Sequence, residues 1–111
     1  MTRFLCAIFL LAIAVPASAQ DARIEKGKQV YTAQKCQVCH SVSGVGNKKG
    51  ALDEVGVRLK EDDIRQWITA APEMAAKAKS DRKPPMKAYP NLPKEDLDAL
   101  VAYLASLKKK A

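Results

Sequence analysis

Residues 36–40 read Cys-Gln-Val-Cys-His, two thiols three positions apart with an imidazole directly after the second. At this C-x-x-C-H spacing both sulfurs reach the two vinyl groups of a single haem and form thioethers. The imidazole that follows is then held under the iron as an axial ligand. Covalent haem attachment is therefore the expected chemistry of Cys36 and Cys39, and iron ligation that of His40. Two other readings of the thiols stay open. One is a thioredoxin-like redox pair, which calls for a βαβ context. The other is an ordinary disulfide between Cys36 and Cys39, which export from the cytoplasm would favour.

A second axial ligand has few sources. His40 is the sole histidine, so a bis-histidine iron is excluded. Beyond the initiator, the methionines are Met74 and Met86. Met74 lies in the helical-looking stretch PEMAAKAK, where a methionine serves readily as core filler. Met86 follows Pro84 and Pro85 directly. Prolines fix φ and reduce the freedom of the chain before binding, so a weak thioether ligand is more easily held against the iron. Met86 is the preferred candidate; Met74, an open sixth position and a lysine ligand are the alternatives.

The chain has 111 residues and a formal charge of +7. Its first residues carry Arg3, then an uninterrupted apolar run from Phe4 to Val15, then Pro16 and the small residues Ala17, Ser18 and Ala19. That is the pattern of a secretory signal peptide. The run falls short of the ~20 apolar residues that a membrane span needs. A buried N-terminal helix is the alternative, but it would be apolar on every face in a very small domain. Residues 1–19 are thus expected to be removed and 20–111 to form one domain, exported and most simply periplasmic, with no transmembrane segment. Removal takes away both Phe residues, Cys6 and Arg3, leaving Tyr31, Trp67, Tyr89 and Tyr103 as the aromatics.

Such a thin core in a small domain often needs a disulfide, metal or cofactor as a staple. Two cysteines cannot build a disulfide-dense scaffold. A closed structural zinc site takes four Cys or His ligands, and residues 20–111 contain three. No phosphate-cradling glycine motif and no internal repeat occur.

The elements that must position the motif read as helices. Over 22–35, Ile24, Gly27, Val30 and Tyr31 fall on one stripe, with Asp21 as a candidate N-cap. Gly27 in the stripe lowers helix propensity by about 1 kcal/mol, which is best explained by another helix crossing close to the backbone there. Residues 41–60 show no sustained period and are expected to be loop. Over 61–70, Ile64, Trp67 and Ile68, followed by Ala71, form a second stripe behind the acidic first turn Glu61, Asp62 and Asp63. Pro72 either ends that helix or opens a short one. Pro84, Pro85, Pro90 and Pro93 predict an extended loop over 80–93. A last helix follows, with Pro93 at its first position and Leu97, Leu100, Val101, Leu104 and Leu107 on one face. No stretch alternates with period two, so the class is all-α.

Together these features resemble class I cytochromes c, the small single-haem electron carriers. The resemblance covers nearly all of residues 22–107. It rests on Gly27 and Tyr31 in the first helix, CQVCH, the helix around Trp67-Ile68, Pro85-Met86, and the closing LVAYL segment with Leu100 and Tyr103. It implies about four helices wrapped around one covalently attached haem c, with the N- and C-terminal helices crossing. It implies that Gly27 and Tyr31 pack against Leu100 and Tyr103, that His40 and Met86 are the axial ligands, and that Trp67 lines the haem pocket. One departure matters. The family often has a Gly-Pro-x-Leu segment whose proline carbonyl accepts a hydrogen bond from the ligand imidazole; here the segment is Lys49-Gly50-Ala51-Leu52. Gly50 is the positional candidate for that acceptor.

The implied function is one-electron transfer between redox proteins, the iron alternating between Fe(II) and Fe(III), without enzymatic turnover. With Lys35, Lys83 and Lys87 near the motif and the candidate ligand, a positive ring would steer the protein to an acidic patch on a partner. A plain solvated basic surface and an anionic membrane surface are the alternatives; nucleic acid is not expected, and a monomer is. Two other functions compete: a haem enzyme or gas sensor with an open sixth position, and a dedicated electron-transfer subunit of a larger oxidoreductase.

Overall fold

The computed structural model describes residues 17–109. The leader expected over 1–19 therefore lies outside the described residues, apart from its last three. The elements are α1 (Ala17–Ala33), a 3-10 turn at Cys36–Val38, β1 (Ser41–Val42), β2 (Val45–Gly46), a 3-10 turn at Lys48–Gly50, α2 (Val55–Arg58), α3 (Glu61–Thr69), α4 (Ala71–Lys77) and α5 (Lys94–Ala105).

The largest interface is the crossing of α1 and α5. The stripe read from the sequence faces it: Gly27, Val30 and Tyr31 are buried and Ile24 half-buried. A side chain at Gly27 would strike the backbone carbonyl of Ala99 and the Cβ of Tyr103. The missing Cβ is what lets the two backbones approach. One turn on, the rings of Tyr31 and Tyr103 meet edge to face, with centroids 5.8 Å apart and planes at 76°. The implied pairing is thus present with one change: Ala99 rather than Leu100 sits over Gly27.

Helix α5 is buried on more than the single face expected. Ala99 and Tyr103 turn toward α1, while Leu100 and Leu104 face the interior cavity. Ile64 and Ile68 of α3 complete the core, and Arg65 donates to Asp98 at 2.8 Å to fasten α3 to α5. Pro72 occupies the first turn of α4, where its missing N–H leaves no bond unmade, and Ala71 beside it is fully buried.

Several boundaries differ from expectation. The chain is already helical at Ala17, the first described residue, so Asp21 lies within α1 rather than at its N-cap. It stops at Ala33 because Lys35 takes a left-handed conformation, φ 58° and ψ 36°. Helix α5 begins at Lys94; Pro93 flanks it, and its carbonyl accepts from the N–H of Leu97 at 2.9 Å. Residues 41–60 are not plain loop. They hold a hairpin turned by Ser43 (φ 50°) and Gly44 (φ 78°), a 3-10 turn and the single-turn helix α2. These pieces are too short to show a period, and long-range bonds hold them. Gly56 N–H donates to the Leu107 carbonyl at 2.9 Å, and Leu52 N–H to the Ser41 carbonyl at 2.8 Å. The proline-rich segment 80–93 is extended as expected, with no helix or strand.

Candidate functional site

The reversal at Lys35 ends α1 and starts the turn that carries the thiols. The N–H groups of Cys39 and His40 both donate to the Cys36 carbonyl, at 3.2 and 3.0 Å. This compact turn brings Cys36, Cys39 and His40 to the wall of one cavity of about 600 Å³. Both thiols are free and half-buried. Burial pushes the Cys36 thiol up to about 11. A thioredoxin-like cysteine needs the opposite shift, and the described residues contain no βαβ unit, so neither condition for that reading is met.

The cavity is bounded by four further elements. Helix α3 contributes Ile64, Trp67 and Ile68, and α5 contributes Leu100 and Leu104. Leu52, Val55 and Leu59 close one side, and the extended segment supplies Pro84, Pro85 and Met86 on another. Trp67 thus lines the cavity. Met86 does as well, while Met74, half-buried on α4, does not. Two prolines hold the backbone before Met86. After it, Tyr89 anchors the chain: its N–H donates to Ile68 at 2.7 Å and its hydroxyl to the Gln34 carbonyl at 3.3 Å.

His40 Nδ1 lies 2.9 Å from the Gly50 carbonyl. A carbonyl only accepts, so Nδ1 carries the proton and Nε2 is left with its lone pair. Gly50 therefore does what the proline carbonyl does in the resembling segment. Burial, and secondarily the charge of Arg82, hold the imidazole below its ordinary pKa against the opposing bond to Gly50. The neutral ring is the form that ligates a metal.

Three features escaped the sequence reading. Arg58 and Arg82 line the cavity, whereas Lys83 does not; Lys35 and Lys87 do. The third is the Tyr31 hydroxyl, which is buried with no partner among the described residues and raised to about 12, chiefly by burial. Single arginines, one ending the four-residue helix α2 and one in the extended segment, carry no periodic signal, and a tyrosine on a helix stripe reads as core.

Two free thiols, a neutral imidazole with its outer nitrogen engaged, a thioether and an apolar cavity of this size fit a haem c. The sequence profile of the cytochrome c family matches residues 24–108. The chain is 33% identical over 92 residues to cytochrome c oxidase subunit 2 of Alkalihalophilus pseudofirmus, an alignment covering 75% of this chain and 25% of that protein. The chain thus spans about a quarter of the length of the curated relative it matches. No solved structure matches it significantly.

Proposed function

Because the chain belongs to the cytochrome c family, we propose that it is an exported one-electron carrier binding one haem c through Cys36 and Cys39, with His40 and Met86 as axial ligands. When bound, the haem supplies a one-electron Fe(II)/Fe(III) couple. The observation carrying the reading is that one cavity is lined by both thiols, His40 and Met86, and not by Met74.

The chain's own residues account for the rest. Ligation of a bound haem iron by both His40 and Met86 would leave no coordination position for a substrate, which would separate a carrier from an enzyme. Gly50 holds the imidazole in one tautomer and orientation. The apolar walls from α3 and α5 exclude water and disfavour extra charge, which favours the ferrous state. Anchoring of the chain on both sides of Met86 would keep its position the same in both oxidation states of a bound haem. Lys35, Lys87 and Arg82 at the cavity suit an acidic patch on a redox partner, with an association rate that falls with salt. A monomer in the periplasm is part of the proposal. Among the described residues no helix is long and apolar enough to cross a membrane.

The similarity to an oxidase subunit favours a second reading, in which the domain feeds electrons within a larger oxidoreductase. Co-purification with a membrane oxidase from the source cells would select it over the free carrier.

The test is the visible and near-infrared spectrum of the exported protein beside Met86→Ala and Met74→Ala. The expected result is a methionine-to-iron charge-transfer band that survives Met74→Ala and disappears in Met86→Ala. Its loss in Met74→Ala alone refutes the ligand assignment. Rapid carbon monoxide binding to the ferrous wild type, without ligand displacement, would instead favour an enzyme or gas sensor.

A further inference from the structure

Arg82 connects the two halves of the site, and we infer that it is a positioning residue for both axial ligands: it clamps the Met86 segment to the haem-attachment turn and sets a positive charge beside the His40–Gly50 hydrogen bond. The inference rests on the assignment of His40 and Met86 as ligands.

Arg82 stands four residues before Met86 in a segment with no helix or strand. The backbone after Met86 is pinned by the bond from Tyr89 to Ile68. Before Met86 the anchor is the Arg82 side chain. Its Nη2 donates to the carbonyl of Cys39, the peptide group that joins the second thiol to His40. Met86 is therefore suspended between two fixed points, one of which is the attachment turn itself.

The guanidinium also packs on Gly50. A Cβ built at Gly50 would collide with Arg82 Nη1 and with the Cys39 carbonyl, and would lie 2.6 Å from Arg82 Nη2. Gly50 is not among the residues of positive φ. Glycine is thus required there for space, which the Cys39 carbonyl and the Arg82 guanidinium bonded to it share. The same Gly50 offers its carbonyl to His40 Nδ1.

Two consequences follow. An arginine is charged at every accessible pH. A fixed positive charge at this point disfavours further positive charge on the iron and so favours its lower oxidation state. A charge-assisted bond also holds the Met86 segment closed against outside ligands. Loss of the arginine should both lower the reduction potential and loosen the methionine.

The experiment uses the purified holoprotein as wild type, Arg82→Gln, Arg82→Lys and the neighbouring-charge control Lys83→Gln. Midpoint potentials are measured, and ferric protein is titrated with imidazole while the methionine-to-iron band is followed. Arg82→Gln is expected to lower the potential and to tighten imidazole binding about tenfold. Arg82→Lys should restore the potential but not the resistance to imidazole, because it keeps the charge and loses the planar fork. Lys83→Gln should change both less than Arg82→Gln. Unchanged potential and imidazole affinity in Arg82→Gln, or equal effects from Lys83→Gln, overturn the inference while leaving the ligand assignment intact. A wild type with no methionine band overturns the Met86 reading, and the clamp with it.

Discussion

Replacing Gly27 with alanine tests the crossing on which the whole fold depends. The new Cβ would meet the Ala99 carbonyl and the Tyr103 Cβ, and would lie 2.8 Å from the Ala99 carbonyl carbon. Ordinary carbon–carbon contact is about 3.5–4.0 Å, so the helices must separate by roughly 1 Å. Two of the three atoms met are backbone, which no rotamer change can move aside. A gap of that size forfeits roughly a quarter to a half of each contact along the interface. It also weakens the Tyr31–Tyr103 edge contact, itself worth about 0.5–1.5 kcal/mol. Overpacking of this kind costs about 1–3 kcal/mol. Alanine returns about 1 kcal/mol of helix propensity. The net loss should reach about 2 kcal/mol, seen as a fall in Tm of up to roughly 16 °C for a domain of this size. Far-UV circular dichroism of the holoprotein during heating measures it, with Gln29→Ala on the exposed face of α1 as control. Propensity alone predicts that both substitutions stabilise. A Gly27→Ala protein melting at or above wild type would show that the helices do not need the missing side chain.

Two titrations give further checks. The bond from Arg65, aided by the charges of Lys94 and Arg23, holds the Asp98 carboxyl below its ordinary value. Its stabilising effect is full above the unfolded-state pKa and is lost as the pH falls through the lower folded value, so Asp98→Asn should flatten the acid limb of a denaturation-versus-pH curve. Burial, with smaller effects of Cys36 and other neighbours, raises the Tyr31 hydroxyl from 10.0 to about 12, so the native state retains a proton that the unfolded chain has released. That contribution is present below pH 10 and is lost as the pH rises from 10 to about 12. Tyr31→Phe should remove this alkaline loss in urea titrations and leave neutral-pH stability equal or slightly higher, since the hydroxyl has no partner among the described residues.

Much of the site was legible in local patterns. The C-x-x-C-H spacing is five consecutive residues, so short that any compact turn brings both thiols and the imidazole to one surface. The stripes on α1, α3 and α5 follow from the 3.6-residue period, and Gly27 marked the crossing because a glycine weakens a helix unless something needs its space. Met86 stood out from Met74 because prolines stiffen the chain before it. Residues 41–60 were misread for the opposite reason. Their elements are only two to four residues long and are held by bonds between residues at least 10 positions apart, Ser43 to Asp53, Leu52 to Ser41 and Gly56 to Leu107, too distant for a local pattern to pair them.

What residue order determined is whatever depends on near neighbours: helix periodicity, the thiol spacing and the stiffness before Met86. What tertiary structure decided is where elements distant in the chain meet. Gly50 faces His40 only because a hairpin folds the chain back on itself. Arg82 reaches the Cys39 carbonyl, and Tyr89 reaches Gln34, across separations of 43 and 55 residues. Such contacts depend on the closure of long loops around a shared core, and closure is a property of the packed chain as a whole rather than of any segment.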